Sequence, residues 1–352
     1  MKTIFFPLIA ASLLLCCSGQ KGKGDDALVT FQQVSPARMR VIIDNDYSGD
    51  PDGMFQLAHH LLSPSVNIVG IIGGHVDAIE EREKFNEGQN SADAATESAK
   101  ELMSILGQQD RCPVVPGATH GMISPTEPLD SEGAQLIIRE ALRSDTEQPL
   151  YICCGGGLTN IASALLLHPE IASKCIVIWI GGPEYADLSL VYDNFTALEP
   201  NLNIDPISAQ TIFNETEAQL IQVPRNMYRK CLYPVSKAMH DLRPLGTLGN
   251  YLTNRMKDAM DGWNNMFGPC IGESYILGDS PLVLLTALMI SDLADGCVMV
   301  NHKAPYVTKD YEFIENPNGR NIKVCTWLNL SMLYADMQCK FEMWHDNYPT
   351  SK

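Results

Sequence analysis

Four apolar runs, VIID (41–44), NIVGIIGG (67–74), PLYICC (149–154) and CIVIWIGG (175–182), recur along the first half of the chain. Each is short, rich in β-branched residues and closed by Gly, Asp or Cys, which is the pattern of a strand buried on both faces. Between and after them lie segments with helical spacing at 54–62, 90–107, 131–144 and 158–171. Strands alternating with helices imply right-handed βαβ crossovers. The expected fold class is therefore α/β, a mainly parallel open sheet flanked by helices with a Rossmann-like core. In such a sheet, ligand loops lie at the carboxyl ends of the strands.

The second half repeats the pattern less regularly. QLIQVP (219–224) reads as another strand and PVSKAMHDL (234–242) as a helix. A Gly-, Asn- and aromatic-rich stretch follows at 261–279, then a helix at 280–291. CVMVNHKAPYVT (297–308) and GRNIKVCTWL (319–328) form an expected hairpin. No internal repeat or linker divides the chain, so residues 39–346 are read as one domain.

The first residues stand apart from this pattern. Lys2 precedes the apolar run IFFPLIAASLLL, which ends at Cys16, Cys17, Ser18 and Gly19. The run is too short for a stable membrane-spanning helix and has the form of an export signal over residues 1–17. Leu14, Leu15 and Cys16 before Cys17 resemble a bacterial lipoprotein processing site. The expectation is lipidation at Cys17, a polar tether over 18–38, and anchoring to the bacterial cell envelope; ordinary secretion is the alternative. Apart from Cys16 and Cys17, nine of the eleven cysteines remain, most of them in apolar runs and none in zinc-binding spacing.

Charge narrows the partners. A formal net charge of −17 without a basic stripe excludes nucleic acid, which needs clustered Lys and Arg. Much of the negative charge that calls for explanation is local. DNDYSGDPD (44–52) holds four carboxylates in nine residues, at the point where the first strand turns into a helix. A solvated loop of helix-start acids is the simple explanation. The other is a hard cation such as Ca²⁺, which takes several oxygen ligands. The spacing is not that of an EF-hand, so other loops would have to complete the site. CGGGLTN (154–160) and Gly278-Asp279-Ser280 are the candidates.

Five motifs in order give the chain a family resemblance. DNDYSGDPDGMFQLA resembles the opening Asp-x-Asp-x-x-x-Asp-Asp fingerprint of the calcium-dependent nucleoside hydrolases, the inosine–uridine-preferring N-ribohydrolase superfamily. KELMSILGQQDRCPVVPGA resembles their ELLG segment. GGLTNIASALLLHPEIASKCIVIWIGG resembles their GPLTNIALAL run with its following strand. Ala197-Leu198-Glu199-Pro200-Asn201 with Asp205-Pro206 is similar to their sugar-contacting motif. Gly278-Asp279-Ser280-Pro281-Leu282 is similar to the opening of their last helix motif. The motifs span roughly residues 40 to 290.

The resemblance implies an enzyme that hydrolyses the N-glycosidic bond of a nucleoside or related riboside with Ca²⁺ as cofactor. It implies that Asp46 binds the metal and takes the proton of the attacking water. Asp52, Asp279 and the Gly155 carbonyl would complete the metal site. Asp50, Glu199 and Asn201 would hold the sugar, and Asp44 would support the site from behind. A homo-oligomer is also implied. These roles suit the chemistry, because positive charge builds on the ribose ring and carboxylates stabilise it.

Departures from the family pattern fall around the substrate. Pro51 separates Asp50 from Asp52, so the two acids could exchange roles. Gly278 stands where the best-known members have a base-contacting His. His75 lies where a sugar-contacting Asn is usual, and His75 or His120 could supply the missing proton. Stacking by Tyr47, Trp263 or Tyr275 is another route. Asn86 or Asn90 could serve as the Asn of the shortened segment after His75, and Pro200 replaces a Phe wall. The competing expectation is a weak or inactive Ca²⁺-dependent sugar-binding lipoprotein. Retention of Asp46 favours catalysis, since a pure binder needs no base.

Overall fold

A computed structural model of the chain describes residues 36–76, 90–188, 198–289 and 296–347. The expected signal, nearly all of the tether, Asn86 and Ala197 lie outside the described residues.

The strands are β1 (Arg40–Asn45), β2 (Asn67–Gly73), β3 (Val114–Pro116), β4 (Leu150–Cys154), β5 (Cys175–Ile180), β6 (Gln219–Val223), β7 (Leu232–Pro234), β8 (Ser274–Ile276), β9 (Cys297–Lys303), β10 (Tyr306–Val307), β11 (Phe313–Ile314) and β12 (Asn321–Leu328). Eight of them form one sheet in the order β3-β2-β1-β4-β5-β6-β12-β9, parallel throughout except for the edge strand β9. The chain winds outward from β1 in one direction through β3 and then in the other from β4. That reversal opens a crevice between the carboxyl ends of β1 and β4, the place where open α/β sheets bind ligands.

The helices that matter are α1 (Asp52–Leu61), α2 (Ser91–Ile105), α3 (Glu132–Ala141), α4 (Thr159–Leu167), α5 (Pro200–Ile204), α6 (Pro206–Gln210), α7 (Gly246–Phe267), α8 (Pro281–Leu284) and α9 (Leu330–Asn347). They cover both faces of the sheet, which is why β1 is buried at every residue. Val41 and Ile43 pack on one face with Met54, Leu57, Leu102, Leu252 and Phe341. Ile42 faces the opposite layer with Leu136, Ile152, Ile161 and Trp179. Asn90 and Ser131 cap α2 and α3 by accepting the N–H of Asp93 and Ala134, which fixes where those helices start.

The second half differs from the sequence expectation in four places. Residues 246–267 form one long helix, α7, so the first residues of the Gly/Asn/aromatic stretch are helical up to Gly268, whose φ of +75° ends it. Of the expected helix at 280–291, the described residues 280–289 are α-helical only over Pro281–Leu284. The 234–242 segment is a single α turn followed by a π turn, not a continuous helix. The expected hairpin strands do pair, but β12 also joins β6 and so extends the main sheet, while β10 and β11 make a small hairpin inside the connection. Helix α9, whose Leu333, Phe341 and Trp344 are buried, was not foreseen.

All nine described cysteines are free thiols, and six of them are buried. They act as small apolar residues of the core.

Candidate active site

Strand β1 carries Asp44 and Asn45 to the crevice, and the chain then turns tightly, with Gly49 N–H donating to the Asp46 carbonyl. The turn ends at Pro51, and Asp52 opens α1. Asp52 sits at a helix start, where the exposed N–H groups favour a carboxylate. Its Oδ1 accepts the N–H of Gly53. The turn is tied to α7 by Arg255, whose guanidinium donates to the Tyr47 carbonyl.

Asp279 arrives from far along the chain. Strand β8 pairs with β7, and the following turn, Leu277 to Ser280, lays the Asp279 N–H against Asp52 Oδ2 at 3.2 Å. A Cβ on Gly278 would stand 3.2 Å from that same oxygen, so the small residue keeps the two acids close. The Asp279 side chain is held from the other direction by Asn45, whose Nδ2 donates to Oδ2 at 2.9 Å.

Electrostatics shows what this costs. Burial, then Asp279, Asp50 and Asp46, push the Asp52 carboxyl well above the usual carboxylate range. Burial and then Asp46 do the same to Asp279, against the opposing hydrogen bond from Asn45. Asp44, behind them, is raised to about 7 by burial, with both oxygens accepting from Asn160 Nδ2 at 3.2 Å. Asp50 is different: it is exposed, and Tyr275 donates its hydroxyl to Oδ1 at 2.9 Å.

The loop after β4 closes the crevice. A Cβ on Gly155 would lie 2.3 Å from Asn45 Nδ2, and one on Gly156 would lie 3.2 Å from Asp46 Cγ. Both glycines let the backbone approach the acidic turn, as a side chain would not. The Gly155 carbonyl accepts from Asn201 Nδ2 at 2.7 Å, and the same nitrogen also reaches the Ile180 carbonyl. Glu199 caps α5, accepting the N–H groups of Gly182, Asn201 and Leu202 and the Tyr228 hydroxyl at 2.6 Å. Burial raises its carboxyl, and these donors oppose the shift. Pro200 is the first residue of α5, where a missing N–H is harmless.

His75 is buried beside Asp44, Asp46 and Thr159 in a small cleft. Its Nε2 is 3.0 Å from Thr159 Oγ1, which lies 2.6 Å from Asp205 Oδ2. A hydroxyl has one proton, and Thr159 donates it to the carboxylate, so His75 Nε2 carries the hydrogen and donates to Thr159. Asp205 is fixed in turn by the N–H groups of Met122 and Ser208.

The other aromatic and polar candidates are dispersed. Tyr47 is fully buried in the core and cannot wall a base site. Trp263 stacks on Phe267 near the end of α7, half exposed. Tyr275 is buried and engaged with Asp50. His120 is exposed and bonds the Gly121 carbonyl. Asn90 is spent on capping α2.

The sequence reading overlooked Gln56 and His60, which extend a buried polar chain from Asn45, and Tyr228, which reaches Glu199. The signal for the first two was the presence of polar residues, Gln56, His59 and His60, inside the otherwise apolar run GMFQLAHHLL, a buried helix face.

Among the described residues, no three His, Cys, Asp or Glu side chains close around one point at coordinating distance. The acids that act on one another across the crevice are nevertheless all oxygen donors, Asp46, Asp50, Asp52 and Asp279. Asp52 and Asp279 are driven toward protonation, first by desolvation and then by the acids around them. That set fits a hard divalent cation in kind, because added positive charge would relieve the repulsion.

The sequence pattern of the family described as inosine-uridine preferring nucleoside hydrolase matches residues 41–283. An uncharacterised protein of Schizosaccharomyces pombe (strain 972) is 25% identical over 267 residues, 69% of this chain and 77% of that protein. A plant nucleoside hydrolase superposes with a TM-score of 0.63 at 18% identity, over 86% of this chain and 99% of its own. A purine-preferring ribonucleoside hydrolase from Gardnerella vaginalis gives 0.59 at 16% identity, over 87% and 99%. At those identities the structural likeness is one of fold.

Proposed function

The chain belongs to the inosine–uridine preferring nucleoside hydrolase family, and from that premise we propose that it hydrolyses the N-glycosidic bond of a nucleoside or related riboside in a Ca²⁺-dependent reaction. One observation carries the reading. Asp46, Asp50 and Asp52 from the turn after β1 lie against Asp279 from the turn after β8, where desolvation and then the neighbouring acids push the Asp52 and Asp279 carboxyls upward.

In this reading Asp46, Asp52, Asp279 and the Gly155 carbonyl hold Ca²⁺. When bound, the ion orients water and the sugar diol and acidifies that water. The Asp46 carboxylate takes the proton of the attacking water. Positive charge then grows on the ribose ring, and the surrounding carboxylates stabilise it without reorganising. Asp52 is assigned to the metal because it contacts Asp279, and Asp50 to the sugar because it stands exposed beside Tyr275. Glu199, Asn201 and His75 complete the substrate side, and Asp44 supports the turn through Asn160. Glu199 and Asn201 already hold partners, so sugar contact by them means exchanging the Tyr228 hydroxyl or a backbone carbonyl.

That engagement is also the observation that favours the second reading, a weak or inactive Ca²⁺-dependent sugar-binding protein. The test is release of reducing sugar from a panel of nucleosides and other ribosides by the tether-free protein with Ca²⁺. Release by the parent chain, lost in Asp46→Asn, supports the hydrolase. Binding of ribosides with no release above the Asp46→Asn background leaves the binding protein. Export with a lipid at Cys17 and assembly into a homo-oligomer are further parts of the proposal.

A further inference from the structure

A continuous chain of buried polar side chains runs from the acidic turn into the body of α1. Asp46 N–H can only donate, so the Asn45 side chain presents Oδ1 to it, at 2.9 Å. The amide nitrogen of Asn45 is thereby turned toward two acceptors, Asp279 Oδ2 at 2.9 Å and Gln56 Oε1 at 3.3 Å. Gln56, fixed in that orientation, gives its own Nε2 to His60 Nδ1. His60 then carries its hydrogen on Nε2 and donates to Thr286 Oγ1 at 2.8 Å, and Thr286 donates to the Leu282 carbonyl at 2.6 Å. Every donor in the sequence has one direction.

Asn45, Gln56, His60 and Thr286 are all buried, so none can exchange a lost partner for bulk water. A reversal of any one amide would oppose donor to donor at its neighbour. Gly53 and Gly155 bring their backbones close against the Asn45 amide: a Cβ on either would fall 2.9 Å or 2.3 Å from its nitrogen. Burial keeps His60 neutral, the form that can accept from Gln56.

We propose that Gln56, His60 and Thr286 are positioning residues that lock the Asn45 amide, and through it set the Asp279 carboxylate and the Asp46 backbone for cation binding. The inference rests on the assignment of Asp46 and Asp279 to the metal. Groups behind a ligand commonly alter metal affinity by about 10- to 100-fold when removed.

The test is calorimetric titration of Ca²⁺ alone into the metal-stripped, folded full chain and its variants. Gln56→Met keeps the length of the side chain but removes both hydrogen bonds, and is expected to weaken Ca²⁺ binding at least about tenfold. Thr286→Val, a milder change at the far end, is expected to weaken it by a smaller factor, and it serves if Gln56→Met does not fold. His59→Gln is the control: His59 is equally buried on the same helix, but bonds Asp336 and has no link to Asn45. It should leave Ca²⁺ affinity within about twofold, well below that range. Folded Gln56→Met and Thr286→Val that both keep the parent affinity, or an equal loss in His59→Gln, overturn the proposal while binding lost in Asp279→Asn upholds the metal site. No Ca²⁺ binding by the parent chain overturns both.

Discussion

The backbone N–H of Asp279 donates to Asp52 Oδ2 at 3.2 Å, joining positions 227 residues apart. Both carboxyls titrate above their ordinary range because they are buried among other acids. The folded, metal-free chain therefore holds protons that the unfolded chain has released, and its stability falls as pH rises. In the proposed metal site Ca²⁺ would replace those protons. We expect Tm in a chelator to drop more steeply than Tm in Ca²⁺ as pH rises above the ordinary carboxylate range. At a free concentration of 100 times Kd the ion adds about 2.7 kcal/mol. Thermal scans across pH with and without Ca²⁺ read the gap; parallel curves would contradict the metal site.

Gly155 meets Asn45 so closely that an alanine there has no place to go. The substitution Gly155→Ala would push the Asn45 amide, and the neighbours that hold it are fixed. The expected cost is about 1–3 kcal/mol, as for other overpacked sites. Denaturant unfolding measures it, and a change below about 0.5 kcal/mol, the size of an ordinary surface effect, would show that the loop moves freely.

How much of this was legible beforehand differs by element. Strands β1, β2, β4, β5 and β6 were, because each is one apolar run whose burial on both faces leaves no competing pattern. Helices α7 and α9 were not. Trp263, Met266 and Phe267 stay exposed on α7, which blurs its apolar stripe, and its Gly and Asn residues suggest a loop. The acids of the crevice could be read because their charge is conspicuous at strand ends. Their partners could not: Gln56, Tyr228 and Tyr275 gain meaning only from contacts that folding creates, such as Tyr275 to Asp50 across 225 positions.

His59 gives the pH response of the fold an opposite sign. Burial lowers it to about 4, although Asp336 at 2.7 Å favours the charged form. A base whose folded pKa lies below its unfolded value leaves the unfolded chain with more protons in between. Stability is then lost as pH falls from about 6.5 to 4, by about 3 kcal/mol in full. His59→Gln removes this titration. The stability difference between parent and variant, measured in Ca²⁺ to hold the acidic site constant, should shift toward the variant over that window; a flat difference would contradict it.

The proposed lipid at Cys17 has a simple readout. Expressed with its leader, the parent chain should fractionate with membranes and require detergent for release. Cys17→Ser should move it to the soluble or secreted fraction, since one apolar leader without acyl chains does not anchor. Membrane retention of the variant would point to another anchor.

His75 reaches Asp205 only through Thr159, and the relay gives a graded expectation. Asp205 accepts the Thr159 hydroxyl at 2.6 Å, which obliges Thr159 to accept from His75 Nε2 at 3.0 Å and so fixes the ring and its tautomer. In the proposed hydrolase this places the imidazole beside Asp44 and Asp46 in the cleft, on the substrate side. A positioned acid or base is worth about 10²- to 10⁴-fold in rate. His75→Ala should therefore lower kcat/KM by about 10²-fold or more if the ring serves the departing base, and mainly raise KM if it only holds the sugar. Thr159→Val keeps the shape but frees the ring to turn, and should give a smaller loss in the same parameter as His75→Ala. Steady-state kinetics on whichever riboside the parent cleaves, with Ca²⁺ saturating, separates the two. Unaltered kcat and KM in both variants would remove His75 from the site.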